Sequence, residues 1–223
     1  MSTHAASGSE RRAAIADSGI RVIARDGVRA LTHRAVDREA GIPQGSTSYH
    51  AKTRQALVEL IVDALAARSK VDAEALAAAL DARFENPRRI DVDELAALIA
   101  GLVETLASRR DDMKARYALI LELDDEPGVR ARLTADSTVH ALTRQVTAQA
   151  LAGAGLPASD ARVEELIALT DSLVFYRTAI DEAASPRSVL TAYLRGAASE
   201  QPRLVGCSGE QDSNCGATEG RAR

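Results

Sequence analysis

Aromatic side chains are almost missing from this chain: four tyrosines, two phenylalanines and no tryptophan in 223 residues. Its core must therefore be filled by Ala, Leu, Ile and Val, which the 46% hydrophobic fraction supplies. Ala and Leu are strong helix formers, so this filling favours helices over a β-sandwich. No run of about 18 apolar residues occurs, which excludes a membrane-spanning helix. The first 30 residues lack the apolar stretch of a secretory signal, and a cytoplasmic protein is expected. The two cysteines, Cys207 and Cys215, stand in a Gly/Ser-rich segment. They offer no disulfide framework, and two thiols are too few for a structural zinc site. Also lacking are a Gly-rich phosphate loop, a Gly-x-Ser-x-Gly elbow, a His-Glu-x-x-His pair and a Cys-x-x-Cys pair. The expectation is a protein that is not an enzyme and needs no cofactor or metal. Asp124-Asp125-Glu126 could attract a cation, or simply mark a charged helix boundary.

Charge is present but unevenly placed. The net charge of −4 argues, taken whole, against nucleic acid as a partner. Residues 1–55, however, hold nine Arg/Lys against five Asp/Glu, and the remainder nineteen against twenty-seven. Three of the four histidines, His4, His33 and His50, share the basic segment. A basic module on an acidic body can dock to a polyanion through one end.

Apolar periodicity predicts an all-α chain of about nine helices. Residues 1–9 read as disordered. A first helix spans Glu10–Asp26 with Ile15, Gly19, Val22 and Ile23 inward, and Gly27 stops it. Thr32 caps a short helix to about Ala40; Gly41 gives a turn, and a third helix runs from about Pro43 to His50. Thr53 opens a long fourth helix that ends before Asn86-Pro87. Helices are then expected at Asp91–Ser108, Asp111–Leu123, Pro127–Leu151, Ser159–Ala183 and from Ser185-Pro186 to about Ser199. Residues 201–223 read as a disordered tail. The implied division is a helix-turn-helix unit at 10–55 and a helical body at 56–200.

The segment Thr32–His50 carries the chemistry. Two short helices joined by a tight Gly turn can project the second helix into the major groove of DNA. Gln44-Gly45-Ser46-Thr47 opens that second helix with small or polar residues rather than a buried face. Gln44 can pair bidentately with adenine, and Gly45 permits close backbone approach. Tyr49, His50, Lys52 and Arg54 supply donors for phosphate oxygens.

The residues Arg12 to Val58, especially "GVRALTHRAVDREAGIPQGSTSYHAKTRQALV", resemble the head of the tetracycline-repressor (TetR) family of transcription regulators. The match rests on Gly27, Leu31-Thr32, Ala40-Gly41-Ile42, Gly45-Ser46, Tyr49-His50, Arg54 and Leu57-Val58, in order and at fixed spacing. The resemblance implies that Arg34, Gln44 and Gly45 approach bases. It assigns Thr32, His33, Ser46, Ser48, Tyr49, His50 and Arg54 to phosphates. Thr32 also reads as an N-cap alone, and His50 as a packed helix end. Two positions depart from the family. Ala51 stands where Phe usually anchors the third helix to the fourth. Asp37 replaces a small residue facing the turn, and calls for a local polar contact.

For the body, the resemblance implies a homodimer through the last two helices, binding a palindromic operator with half-sites about 34 Å apart. It also implies a small effector bound among the helices, which tilts the fourth helix and releases DNA. The candidate lining is Tyr117, Leu121, His140, Phe175, Tyr176 and Arg177. So few aromatics suit an apolar or amphipathic molecule. The leading expectation is a ligand-responsive repressor; the alternative is an all-α small-molecule binder that has lost specific DNA binding.

Overall fold

Helices begin where the sequence supplies a capping oxygen. The Thr32 hydroxyl accepts from the Ala35 amide at 3.1 Å, Thr53 from Ala56 at 3.0 Å, and Ser137 from His140 at 3.0 Å. Asp91 and Glu94 satisfy each other's backbone amides in a capping box. Each such cap is worth about 1 kcal/mol. The computed structural model describes residues 3–84, 90–134 and 137–199.

In chain order the elements are α1 (Thr3–Asp26), a 3-10 turn (Val28–Ala30), α2 (His33–Glu39), α3 (Ser46–His50), α4 (Arg54–Phe84) and α5 (Val92–Ser108). They continue with α6 (Arg110–Glu122), α7 (Pro127–Ala131), α8 (Thr138–Gly153), α9 (Asp160–Ala179) and α10 (Pro186–Ser199). The fold is all-α, with no strand among the described residues.

The helix expected over Pro127–Leu151 is two helices, α7 and α8, so the described residues form ten α-helices where about nine were expected. Leu133 belongs to the core around α1, α4 and α6, whereas Val146, Ala150 and Leu151 belong to the core of α5, α9 and α10. One straight helix cannot serve both. The helix breaks after Ala131, the Leu133 carbonyl beyond it accepts from Arg116 at 2.7 Å, and Ser137 caps the restart. Part of the segment expected to be disordered, from Thr3 on, lies within α1. Ala5, Ala6 and the charged residues at 10–12 are good helix formers, and extending a nucleated helix costs little. The expected tail, with Cys207 and Cys215, and Asn86-Pro87 lie outside the described residues.

The first core joins Ile15, Ile23, Leu31, Leu57, Ile61 and Leu119, tying the N-terminal helices to α4 and α6. Gly19 lets α1 approach α4, because a Cβ there would fall on Ile61. The second core is built on Leu80, Leu95, Ile99, Leu166, Leu190 and Leu194. Thus α4 enters both cores. At 31 residues it is about 46 Å long.

Candidate functional site

The turn between α2 and α3 is closed by backbone geometry. Gly41 takes φ +63°, the Ile42 amide donates to the Asp37 carbonyl at 3.0 Å, and the Gly41 amide to Arg38 at 3.3 Å. This is the glycine-dependent termination in which a left-handed residue satisfies the last helical carbonyls. Gly45 precedes α3 with φ +94°, a conformation that favours glycine. A glycine N-cap has no side chain to satisfy the first amides of its helix. Asp37 does this from α2: its carboxylate accepts from the Gly45 amide at 2.7 Å and the buried Thr47 amide at 2.8 Å. Asp37 is itself only 3% exposed. Burial alone would raise its pKa, but hydrogen bonds from Thr47 and Gly45 outweigh this and hold it below the usual carboxylate range.

The other end of α3 is tied down through Ala51, which is buried and takes the place expected for an aromatic anchor. The Ala51 amide donates to Thr47 at 2.8 Å. Its carbonyl lies 2.7 Å from His33 Nε2, which donates when that nitrogen carries the proton. Behind the turn, Glu39 bridges Arg21 at 2.8 Å and Arg25 at 2.9 Å, fastening α2 to α1.

The residues singled out for DNA contact therefore divide by what they already hold. Tyr49 is 82% exposed at the tip, edge-on to His50 with ring centres 5.2 Å apart. Arg34, Gln44, Gly45 and Ser48 are exposed beside it. Thr32 serves as the N-cap of α2, and the Ser46 hydroxyl donates to the Pro43 carbonyl at 2.7 Å. Arg54 is exposed while donating to the Val28 carbonyl at 3.0 Å, and half-buried His33 holds Ala51. α3 starts at Ser46, not Pro43, so Gln44 stands in the turn before it. Among the described residues Arg34, Arg38, Lys52 and Arg54 have no carboxylate partner. A short polar helix with an exposed phenol, in a head that also carries cations without a carboxylate partner, can engage phosphates and base edges together.

The body encloses a cavity of about 460 Å³, within the range of small-molecule sites. Its walls are largely aliphatic, and α4 contributes Ala66, Ser69, Asp72, Ala73, Leu76 and Leu80. Tyr117 and His140 line it, together with Arg116 and Asp171, which were not singled out in the sequence. Charged residues on helices read as solvated faces, and only the convergence of α6, α8 and α9 brings these to one cavity, Arg116 half-buried and Asp171 still exposed to solvent. Burial pushes the Tyr117 phenol up to about 12, raises the Asp171 carboxyl and lowers the Arg116 guanidinium.

Leu121, Phe175, Tyr176 and Arg177 are not part of this lining. Leu121 is 75% exposed on α6, and Arg177 donates to the Ala184 carbonyl, closing the chain after α9. Phe175 packs edge-on to Tyr117, with ring centres 5.2 Å apart. Phe175 and Tyr176, with Ile180 and Val189, form the large apolar residues exposed near the end of α9 and on α10. Helical phase decides this: residues adjacent in sequence point about 100° apart, and Val174 takes the inward direction.

Residues 91–200 match the family model described as the tetracyclin repressor-like, C-terminal domain. No curated protein matches the chain. Among solved structures, a member of the TetR family from Streptomyces coelicolor A3 is 26% identical, with TM-score 0.59, covering 84% of this chain and 98% of its own. A transcriptional regulator from Rhodococcus sp. Rha1 is 17% identical, with TM-score 0.59, covering 84% and 96%. The multidrug binding protein EbrR, complexed with imidazole, is 24% identical, with TM-score 0.54, covering 84% and 89%.

Proposed function

Since the chain belongs to the TetR family of transcriptional regulators, we propose that it is a cytoplasmic, non-catalytic repressor that binds a palindromic DNA operator as a homodimer and leaves it when a small effector fills the body cavity. One observation carries the DNA-binding part: α3, a polar helix capped by Asp37, carries Tyr49 out into solvent at 82% exposure. Burying an aromatic ring is favourable, so a tyrosine held in water at the tip of a small polar helix is best explained by a partner. In this reading Arg34, Gln44 and Gly45 meet base edges. Thr32, His33, Ser46, Ser48, Tyr49, His50 and Arg54 meet phosphates, with Thr32, His33, Ser46 and Arg54 also bracing the head internally. The head corresponds to residues 10–55 and the effector and dimerisation unit to residues 56–200.

The exposed group Phe175, Tyr176, Ile180 and Val189 supports dimerisation through α9 and α10. The place of α4 supports the switch. Its N-terminal residues Leu57, Val58 and Ile61 belong to the core of the head, while its later turns wall the cavity. An effector that binds one tilt of α4 more tightly than another shifts the population of head spacings.

The test is selection from a random duplex pool at about 150 mM salt, by the wild type and by a Gln44→Ala, Tyr49→Ala double variant. A selected palindrome that the variant fails to enrich is the expected result. Salt-sensitive binding with no sequence preference would overturn the reading and leave the all-α small-molecule binder in its place.

A further inference from the structure

The cavity contains a guanidinium and a carboxylate that do not pair with each other. Arg116 donates to the Ser69 hydroxyl at 3.3 Å and the Leu133 carbonyl at 2.7 Å, and no carboxylate ion-pairs with it among the described residues. Asp171, on the facing helix α9, receives no hydrogen bond and no ion pair from the described residues, and the Tyr117 hydroxyl is similarly unengaged. The other charges of the lining are already matched: Asp72 with Arg109, Arg132 with Asp63, and Glu164 with Arg144 at 2.6 Å. His140 lies 3.6 Å from Glu164. What is left on the lining without an ion pair is one guanidinium and one carboxylate, walls of the same cavity on α6 and α9, with the His140 ring also lining it and acting on Asp171.

This pair discriminates by charge. A carboxylate head drawn to Arg116 meets Asp171, and an ammonium head drawn to Asp171 meets Arg116; in each case a like charge is confined nearby. A neutral group with an acceptor at one end and a donor at the other satisfies both. Deepening the effector-site reading on which it rests, we propose that the cavity takes a net-neutral amphipathic molecule with an amide-type head, its acceptor on Arg116 and its donor on Asp171. The aliphatic part then lies against Leu76, Leu80, Ile99, Val146 and Ile167.

Three probes with one tail separate the classes: octanamide, octanoate and octylammonium, each titrated calorimetrically into the full-length protein without DNA. Octanamide is expected to bind about tenfold tighter than either charged probe. Asp171→Asn should raise octanoate affinity relative to octanamide, and Arg116→Gln should do the same for octylammonium. Either charged probe binding the wild type best, no discrimination, or no binding of any probe overturns the proposal. An unchanged order in Asp171→Asn overturns it as well. The wild-type ranking needs no variant to fold. Operator release is scored separately: octanamide that binds but releases no DNA would keep the ligand class and remove the switch.

Discussion

Replacing Asp37 with alanine removes the acceptor of two backbone amides at once, and the two losses differ. Gly45 is exposed, so its amide turns to water at a cost of about 0.5–1 kcal/mol. Thr47 is fully buried, so its amide loses its acceptor in a place water does not reach, costing about 1–3 kcal/mol. Relief from burying a charge offsets part of this, leaving a net loss of about 2 kcal/mol. The assays are the urea midpoint and hydrogen exchange at the Thr47 amide. Protection there should fall in the variant, and the midpoint should drop by about 1 M with an unchanged slope. Operator affinity should also fall without changing the salt dependence, because Asp37 contacts no phosphate in the proposed complex. The pH dependence has a definite sign. The folded pKa of Asp37 is lowered, so its stabilisation is complete above about pH 4, the unfolded carboxyl value, and is lost as pH falls through the folded value. Asp37→Asn should accordingly differ from the wild type at pH 7 and converge with it in acid. Unchanged Thr47 protection and an unchanged midpoint in Asp37→Ala would refute the account of α3 as a helix capped from α2.

Two further outcomes follow from packing. Gly19→Ala places a methyl on the buried Ile61 side chain where α1 crosses α4, and should cost about 1–3 kcal/mol in thermal or urea unfolding; a neutral effect would mean that crossing relaxes freely. Ile180→Glu puts a charge at the exposed end of α9 that carries Phe175 and Tyr176, and should turn the proposed dimer into a monomer in sedimentation while leaving far-UV circular dichroism unchanged. Dimer persisting at low micromolar concentration would place the interface elsewhere.

Local chemistry was largely written in the chain. Thr32, Thr53, Asp91 and Ser159 begin helices because each places an oxygen on a nearby amide, an interaction that needs only a few consecutive residues. The Gly41 turn and the ordered residues from Gly27 to Val58 were likewise visible, since backbone conformation and short spacing leave traces in sequence. Asp37 was legible as an oddity needing a polar contact, but not as the cap of α3, because its partners are eight and ten residues away across a turn.

The cavity and the outer apolar face were decided by tertiary structure alone. A helix presents one side to its neighbours, and which side depends on where they lie. Arg116 and Asp171 look like surface charges until α6 and α9 bring them to one cavity, while Phe175 and Tyr176 look like cavity lining until Val174 takes the inward position. The break after Ala131 has the same origin: two separate cores pull one apolar stretch in different directions, and periodicity along a single helix cannot record which core each residue will meet.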